Sequence, residues 1–363
     1  MRALQILAGP SARAHLSQHG LAPEHVATVA AAAGGPKGLI LGPLDRLIFG
    51  EWLPQSRQPI DLVGASIGAW RMATACLPDA LSAFARFETA YIEQHYELPP
   101  GQKRLSTTQV SEGFARHISM FFGGQEQALL HHPRYRLHVL TSHGQGLLQQ
   151  TPAWATALGF GSAWLANAVG RSYLQNWLER VVFSSQGAAL PFDASDYRTR
   201  VHTLTEPNFL PVILASCSIP FLFEGVRDIP GSESGLYWDG GITDYHLHLR
   251  WRSGTREAGQ GAPIVLYPHF QKQVIPGWLD KAFKSRHVAT PALDATLVLA
   301  PHPDWVRTLP NGKLPDRNDF RHYGHDWKSR SRVWREATSA ARQLADEWAD
   351  WLARPDLSRV EAL

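Results

Sequence analysis

The chain has 363 residues, 44% hydrophobic and 18% charged, which is enough apolar material for a substantial core in one large domain or two. The 35 Lys and Arg against 32 Asp and Glu leave a formal charge of +3, and no basic run follows that could track a phosphate backbone, so nucleic acid is excluded as an expected partner. Two cysteines, Cys76 and Cys217, are too few for a disulfide framework, and their apolar surroundings read as buried free thiols.

In chain order, residues 1–9 carry one arginine and a short apolar run, which falls short of a signal peptide and favours the cytoplasm. An apolar run over residues 26–33 leads into Gly34-Gly35-Pro36-Lys37-Gly38 and then an apolar helix over residues 39–49. Consecutive glycines entering a helix leave backbone N–H groups unpaired, as an oxyanion hole requires. Pro36 has no N–H but suits a first helical turn, so the oxyanion hole is expected to comprise Gly34, Gly35, Lys37 and Gly38, with the amides of Gly34, Gly35 or Lys37 as foremost donors. The spacing fits neither a Walker loop nor a dinucleotide fingerprint.

A second strand-turn-helix unit follows at once. Asp61-Leu62-Val63 runs into Gly64-Ala65-Ser66-Ile67-Gly68 and then Ala69-Trp70-Arg71-Met72-Ala73, the pattern of a nucleophile elbow with Ser66 at the turn. Gly64 and Gly68 are the positions where a side chain would strike the neighbouring strand or helix. A purely structural glycine turn is the competing reading. Further apolar runs at residues 137–141, 181–184, 201–204, 264–267 and 296–300 predict strands interleaved with helices, hence an α/β layered fold with a largely parallel sheet. Residues 98–101 and 252–262 read as surface loops.

The third element is Gly235-Leu236-Tyr237-Trp238-Asp239-Gly240-Gly241, an acid at the end of an aromatic strand followed by two glycines. By itself this is an ordinary turn. Two regions are candidates for contact with lipid. Residues 151–170 carry no charge but include Trp154, Phe160, Trp164 and Leu165, and their glycines argue against a spanning helix. Residues 327–353 predict one amphipathic helix with Trp334, Ala337, Ala341, Leu344, Trp348 and Trp351 along a stripe and Lys328, Arg330, Arg332, Arg335 and Arg342 crowding its first half. Packing onto the chain's own core is the favoured reading for both, with lipid contact the alternative.

Taken together, the glycine loop, the elbow close behind it and the later Asp-Gly-Gly resemble the patatin-like phospholipase family, as does Ala215-Ser216-Cys217-Ser218-Ile219-Pro220-Phe221 ahead of the acid. The order and spacing fit over about residues 25–250, with strands and the amphipathic helix completing a single domain over 1–363. Ala32 and Ala33 stand where the family has Asp and a first Gly, Lys37 replaces its Arg, and Ile242-Thr243-Asp244-Tyr245 replaces its Asn and Pro. The resemblance implies a three-layer α/β/α sandwich with a largely parallel central sheet and a lipid acyl hydrolase with no cofactor or metal, Ser66 and Asp239 as a catalytic dyad, and a lipid or ester as substrate; the two apolar regions add peripheral membrane contact as a candidate.

Alternatives remain. His246, His248, His269, His287, His302, His322 and His325 all follow Asp239, so the order permits a Ser-His-Asp triad. An acyl carrier protein transacylase uses a similar elbow paired with histidine, and a lipid-binding protein without catalysis would tolerate the altered loop. His246-x-His248 and His131-His132 lack a third ligand for a metal.

Overall fold

The structure is a computed structural model and describes residues 1–97, 99–102, 105–252 and 263–363. The strands are β1 (Leu4–Ala8), β2 (Val26–Ala31), β3 (Ile60–Ala65), β4 (Tyr135–Gly144), β5 (Leu178–Ser184), β6 (Phe192–Asp193), β7 (Thr199–Thr203), β8 (Val226–Arg227), β9 (Leu236–Asp239), β10 (Arg250–Trp251), β11 (Ile264–Pro268), β12 (Thr296–Pro301) and β13 (Val360–Ala362). Eleven of them form one sheet in the order β13-β1-β12-β11-β2-β3-β4-β5-β7, with β9 paired to β4 and β8 to β9, while β6 and β10 pair separately. The run β12-β11-β2-β3-β4 is parallel throughout, and helices cover both faces in an α/β/α sandwich. Buried along their whole length, β3 and β12 carry continuous apolar runs over residues 62–65 and 297–301 rather than alternating ones.

Each strand expected from the sequence forms, while β13 at the sheet edge and β1 beside it come from runs too short to be assigned as strands. Of the two stretches read as loops, Pro100 and Gly101 form an exposed turn, whereas 98 and 253–262 lie outside the described residues.

One feature of register positions the site. Strand β3 runs parallel to β4 and ends with Ala65 opposite Leu140. Strand β9 arrives antiparallel from the other direction and ends with Asp239 opposite Thr141, the next residue of β4. The two chain ends therefore meet head on beside β4, and the residues that follow them leave the sheet at one point.

Several helices differ from expectation. The apolar helix read over residues 39–49 is a 3-10 turn at Gly35–Leu41, an α-helix at Gly42–Leu47 and a wider turn at Ile48–Trp52. The C-terminal helix is two helices, Trp327–Ala340 and Arg342–Ala353, which meet at Ala341. Its stripe does not face outward: Trp334, Ala337, Ala341, Leu344, Trp348 and Trp351 are all at most 1% exposed. Trp348 stacks on Trp351 with ring centres 5.1 Å apart and meets Trp52 edge-on. The stripe is therefore core, in line with the reading that it packs onto its own domain, and the alternative of lipid contact through it falls away.

The other candidate behaves oppositely. Residues 151–170 form a helix, Ala153–Val169, whose Phe160 is buried against Trp238 while Trp154, Leu158, Leu165 and Val169 are exposed at 62%, 58%, 62% and 79%. That spacing puts the four exposed side chains along one face. Among the described residues, no helix is long and apolar enough to cross a membrane.

Candidate active site

Ser66 follows β3 at φ 57° and ψ −128°, a conformation that L side chains rarely adopt, and caps the helix Ile67–Ala75. The pinch depends on the two glycines. A Cβ on Gly68 would lie 1.9 Å from the carbonyl oxygen of Ala31, and one on Gly64 would lie 2.5 Å from the amide of Ala69. The Arg71 guanidinium, buried with Asp45, donates two 2.7 Å hydrogen bonds to it and so fastens the elbow helix to the helix beside it.

The Ser66 hydroxyl donates to Asp239 Oδ2 at 2.7 Å, and both side chains are buried. Asp239 Oδ1 accepts from the amide of Gly241 at 2.7 Å, so the carboxylate is held at both oxygens. The turn behind it is as tight as the elbow: a Cβ on Gly240 would lie 2.0 Å from the Leu140 carbonyl oxygen, and one on Gly241 would lie 2.5 Å from Ala33 Cβ. Ser216, in the segment ahead of the acid, joins the two ends by accepting from the Ser66 amide at 2.9 Å and donating to the Leu140 carbonyl at 2.7 Å. Sequence reading placed Ser216 in a motif without seeing this role.

Burial pushes the Asp239 carboxyl above its ordinary value, opposed by the Arg317 charge, the Ser66 hydroxyl and the Gly241 amide. Cys217 lies beside Ser66, but burial pushes its thiol well above the ordinary value and it stays protonated. Both cysteines are free and buried, as read.

The glycine loop approaches the same point. Gly35 has φ +57°, and a Cβ on Gly34 would lie 2.4 Å from the Phe270 ring, so both positions need glycine. Because Gly34 caps a 3-10 helix, i→i+3 bonding takes up amides from Lys37 onward. The free donors are then Gly34 and Gly35, and the expectation that Lys37 and Gly38 donate as well is corrected. Lys37 holds its ammonium 5.3 Å from the Phe270 ring centre, and burial pushes it below its ordinary value. Gly38 instead lets the loop pass Ile67, whose side chain would lie 3.1 Å from a Cβ.

Ser66 opens into an apolar cavity of about 410 Å³ lined by Ile67, Trp70, Phe114, Ile219, Leu222 and Phe223, with Gly35 and Pro36 on one wall. Phe114 comes from the helix Thr107–Phe122, which starts with a Ser106/Gln109 capping box and which sequence reading did not connect to the site. A narrow second cleft on the other side is lined by Asp239, Gly241, Tyr245 and Trp278, and Arg317 borders both.

No histidine lines either space among the described residues. His246 is buried and bonded to the backbone at Gln273 and Ile275, and His248 sits between the Val274 carbonyl and Thr290. His287 bonds the Asp280 carbonyl and His302 caps a helix. His131 and His132 bond neighbouring backbone, and no group of three metal-ligating side chains is found among the described residues. Among the described residues, neither space therefore presents a histidine to Ser66 and Asp239 as a triad would require.

One departure from the motif, Asp244, has a local explanation. Asp244 receives two hydrogen bonds from buried Arg180, at 2.7 and 2.8 Å, and these with the Arg180 charge hold its carboxyl below the ordinary value despite burial. It braces the turn after Asp239 from behind.

The sequence profile of patatin-like phospholipases matches residues 32–246, more than half of the chain and the whole stretch from the glycine loop past Asp239. The chain belongs to this family. Among solved structures, human GIVD cytosolic phospholipase A2 is similar at 11% identity and a TM-score of 0.36, over 96% of this chain and 63% of that one, so the chain spans less than two thirds of its length. No curated protein matches the chain. Membership of the patatin-like phospholipases makes lipid acyl hydrolysis the activity that the family supports.

Proposed function

We propose that this patatin-like phospholipase hydrolyses carboxylic esters of phospholipids or related lipids through a Ser66–Asp239 dyad. The observation that carries the reading is the 2.7 Å hydrogen bond from the Ser66 hydroxyl to a buried carboxylate at the mouth of an apolar cavity. As Ser66 Oγ attacks the acyl carbonyl, Asp239 Oδ2 takes its proton. The amides of Gly34 and Gly35 hold the tetrahedral oxyanion, and the dipole of the helix Ile67–Ala75 adds to the field. Collapse expels the alcohol, which Asp239 protonates. Water deprotonated by Asp239 then releases the fatty acid from acyl-Ser66. The acyl chain lies in the cavity between Trp70, Phe114 and Phe223.

Residues 1–363 act as one domain in this reading, because the cavity is closed by Arg317 and Phe320 from the C-terminal part. The exposed face of the helix Ala153–Val169, together with Phe221 and Leu222 at 59% and 44% exposure, is the surface that rests on lipid. Leu222 also lines the cavity, so the same edge that meets the membrane would admit the chain.

The test is fluorophosphonate labelling followed by peptide mass spectrometry, run beside turnover of a short-chain nitrophenyl ester. Label on Ser66 alone, with Ser66→Ala folded but inactive, is the expected result. Turnover retained by the alanine variant would make the elbow a structural turn.

A further inference from the structure

The glycine loop offers the amides of Gly34 and Gly35, and a side-chain hydroxyl faces it across the cavity. Tyr91 Oη lies 3.7 Å from where a Cβ on Gly35 would sit, and Arg317 Nε lies 3.3 Å from the same point. Gly35, Ser66, Tyr91 and Arg317 all line the apolar cavity. An oxygen held beside Gly35 and only slightly nearer Tyr91 would be within hydrogen-bond range of that hydroxyl. Tyr91 comes from the helix Ala80–Glu93, which carries none of the motifs read from the sequence.

Packing fixes where the hydroxyl points. The Tyr91 ring centre lies 5.9 Å from that of Phe87, 6.1 Å from that of Trp70 and 6.4 Å from that of Trp334. Burial, opposed by the Arg317 charge, pushes the phenol above its ordinary value, so it keeps its proton and can donate. Among the described residues no group accepts that proton, although a tyrosine hydroxyl set in a protein interior usually has a partner. Its neighbour in the cavity, Tyr96, is already bonded to Gln94. The charges of Arg317 and Lys281 act on Asp239, where they favour the ionised base. Once the serine proton has reached Asp239, the new negative charge lies on the substrate oxygen, and a neutral donor fixed beside the glycine loop is what that oxygen needs.

We propose that Tyr91 is a further catalytic residue, whose hydroxyl joins the Gly34 and Gly35 amides as the third donor to the oxyanion. This rests on the hydrolase reading and deepens it. As the bond from Ser66 Oγ to the acyl carbon forms, the carbonyl π electrons move onto the oxygen and the serine proton passes to Asp239. Tyr91 keeps its own proton throughout and shares it with that oxygen. When the carbonyl re-forms, the bond to the alcohol breaks and the alcohol takes the proton from Asp239, which leaves Tyr91 as it began. The hydrogen bond tightens only as charge develops, so it lowers the barrier more than it strengthens substrate binding.

The test is Tyr91→Phe, which deletes one oxygen and leaves the ring in its packing. On nitrophenyl butyrate, kcat should fall by about tenfold to a hundredfold, the worth of a hydrogen bond to a charged oxygen, while KM stays close to that of wild type. Inhibition by a trifluoromethyl ketone of the same chain length, which captures Ser66 as a stable oxyanion, should weaken by the same factor. The urea midpoint should not move. An unchanged kcat overturns the proposal, and so does a fall in kcat that leaves ketone inhibition intact. A fall matched by a lower urea midpoint overturns it as well, since the hydroxyl would then be holding the fold. A loss confined to hydroxybutyrate esters would make Tyr91 a binding group for the acyl chain instead. Should wild type turn over the ester no faster than Ser66→Ala, the hydrolase reading fails and takes this proposal with it, whereas an active wild type beside an equally active Tyr91→Phe overturns the role of Tyr91 alone.

Discussion

Replacing Asp239 with Asn separates chemistry from stability, because the structure makes the two move in opposite directions. The carboxylate receives the Gly241 amide on Oδ1 and the Ser66 hydroxyl on Oδ2, each at 2.7 Å. An asparagine keeps the first bond by turning its carbonyl oxygen to Gly241, which leaves its NH₂ facing Ser66 Oγ. The hydroxyl proton then has no acceptor, and the base is gone. General base catalysis is worth about 10² to 10⁴ in rate, or about 2.7 to 5.4 kcal/mol of barrier, so kcat/KM on a nitrophenyl ester should fall by that range. Stability should not fall with it. The Asp239 pKa is raised from 3.8 by burial, so its stabilising contribution is complete below 3.8 and is lost as pH rises through the folded-state value. At pH 7 the ionised carboxylate is a net burden on folding, and the neutral amide removes it. Urea denaturation should find Asp239→Asn at least as stable as wild type at pH 7, with the difference shrinking on acidification. A variant within tenfold of wild-type kcat/KM would refute the base assignment. A loss of rate matched by a loss of stability would mean that Asp239 holds the turn together rather than acting on the serine.

The same pKa direction predicts that the acid limb of the kcat/KM profile on a neutral ester lies above 3.8, and that Arg317→Gln moves it further up, since the Arg317 charge lowers that pKa. A limb unmoved by the variant would place Arg317 too far away to matter. Gly68→Ala should destabilise by about 3 kcal/mol or more, read as a shift in urea midpoint, because its Cβ would meet the Ala31 carbonyl oxygen at 1.9 Å between two rigid backbones. Trp348→Ala should cost about 3 to 5 kcal/mol in stability and leave vesicle binding alone, whereas Trp154→Ala should leave stability within about 0.5 kcal/mol and weaken vesicle sedimentation. The reverse pattern would return the lipid contact to the C-terminal helices.

Much of the fold was legible because its signals are local. Apolar runs, glycine turns and the serine between Gly64 and Gly68 each report a conformation that neighbouring residues dictate. The periodicity of the Trp334 to Trp351 stripe was also read correctly, but a stripe says only that a face is covered, not by what. Here the coverings include Trp52 and the turn beside it, a partner some 300 residues away that no window could reveal. The donor set was over-read for a related reason. A glycine loop entering a helix has free amides, yet how many depends on whether the first turn is 3-10 or α, and at Gly35 the tighter turn takes up the Lys37 amide.

What was least legible is what surrounds the dyad. Ser66 and Asp239 meet because β3 and β9 end on consecutive residues of β4, a fact of register that neither motif contains. Arg317 and Lys281 are harder still, since one precedes a short helix and the other sits in a 3-10 helix of five residues, and a lone charge in such a segment is by default a solvated one. The division has a physical basis. The chemistry requires backbone geometry held to a fraction of an ångström, which only particular residues permit, and so it leaves a mark on the sequence. A charge need only come near the dyad, from any segment that passes, and so the groups that tune it can change while the elbow and the acid turn stay fixed.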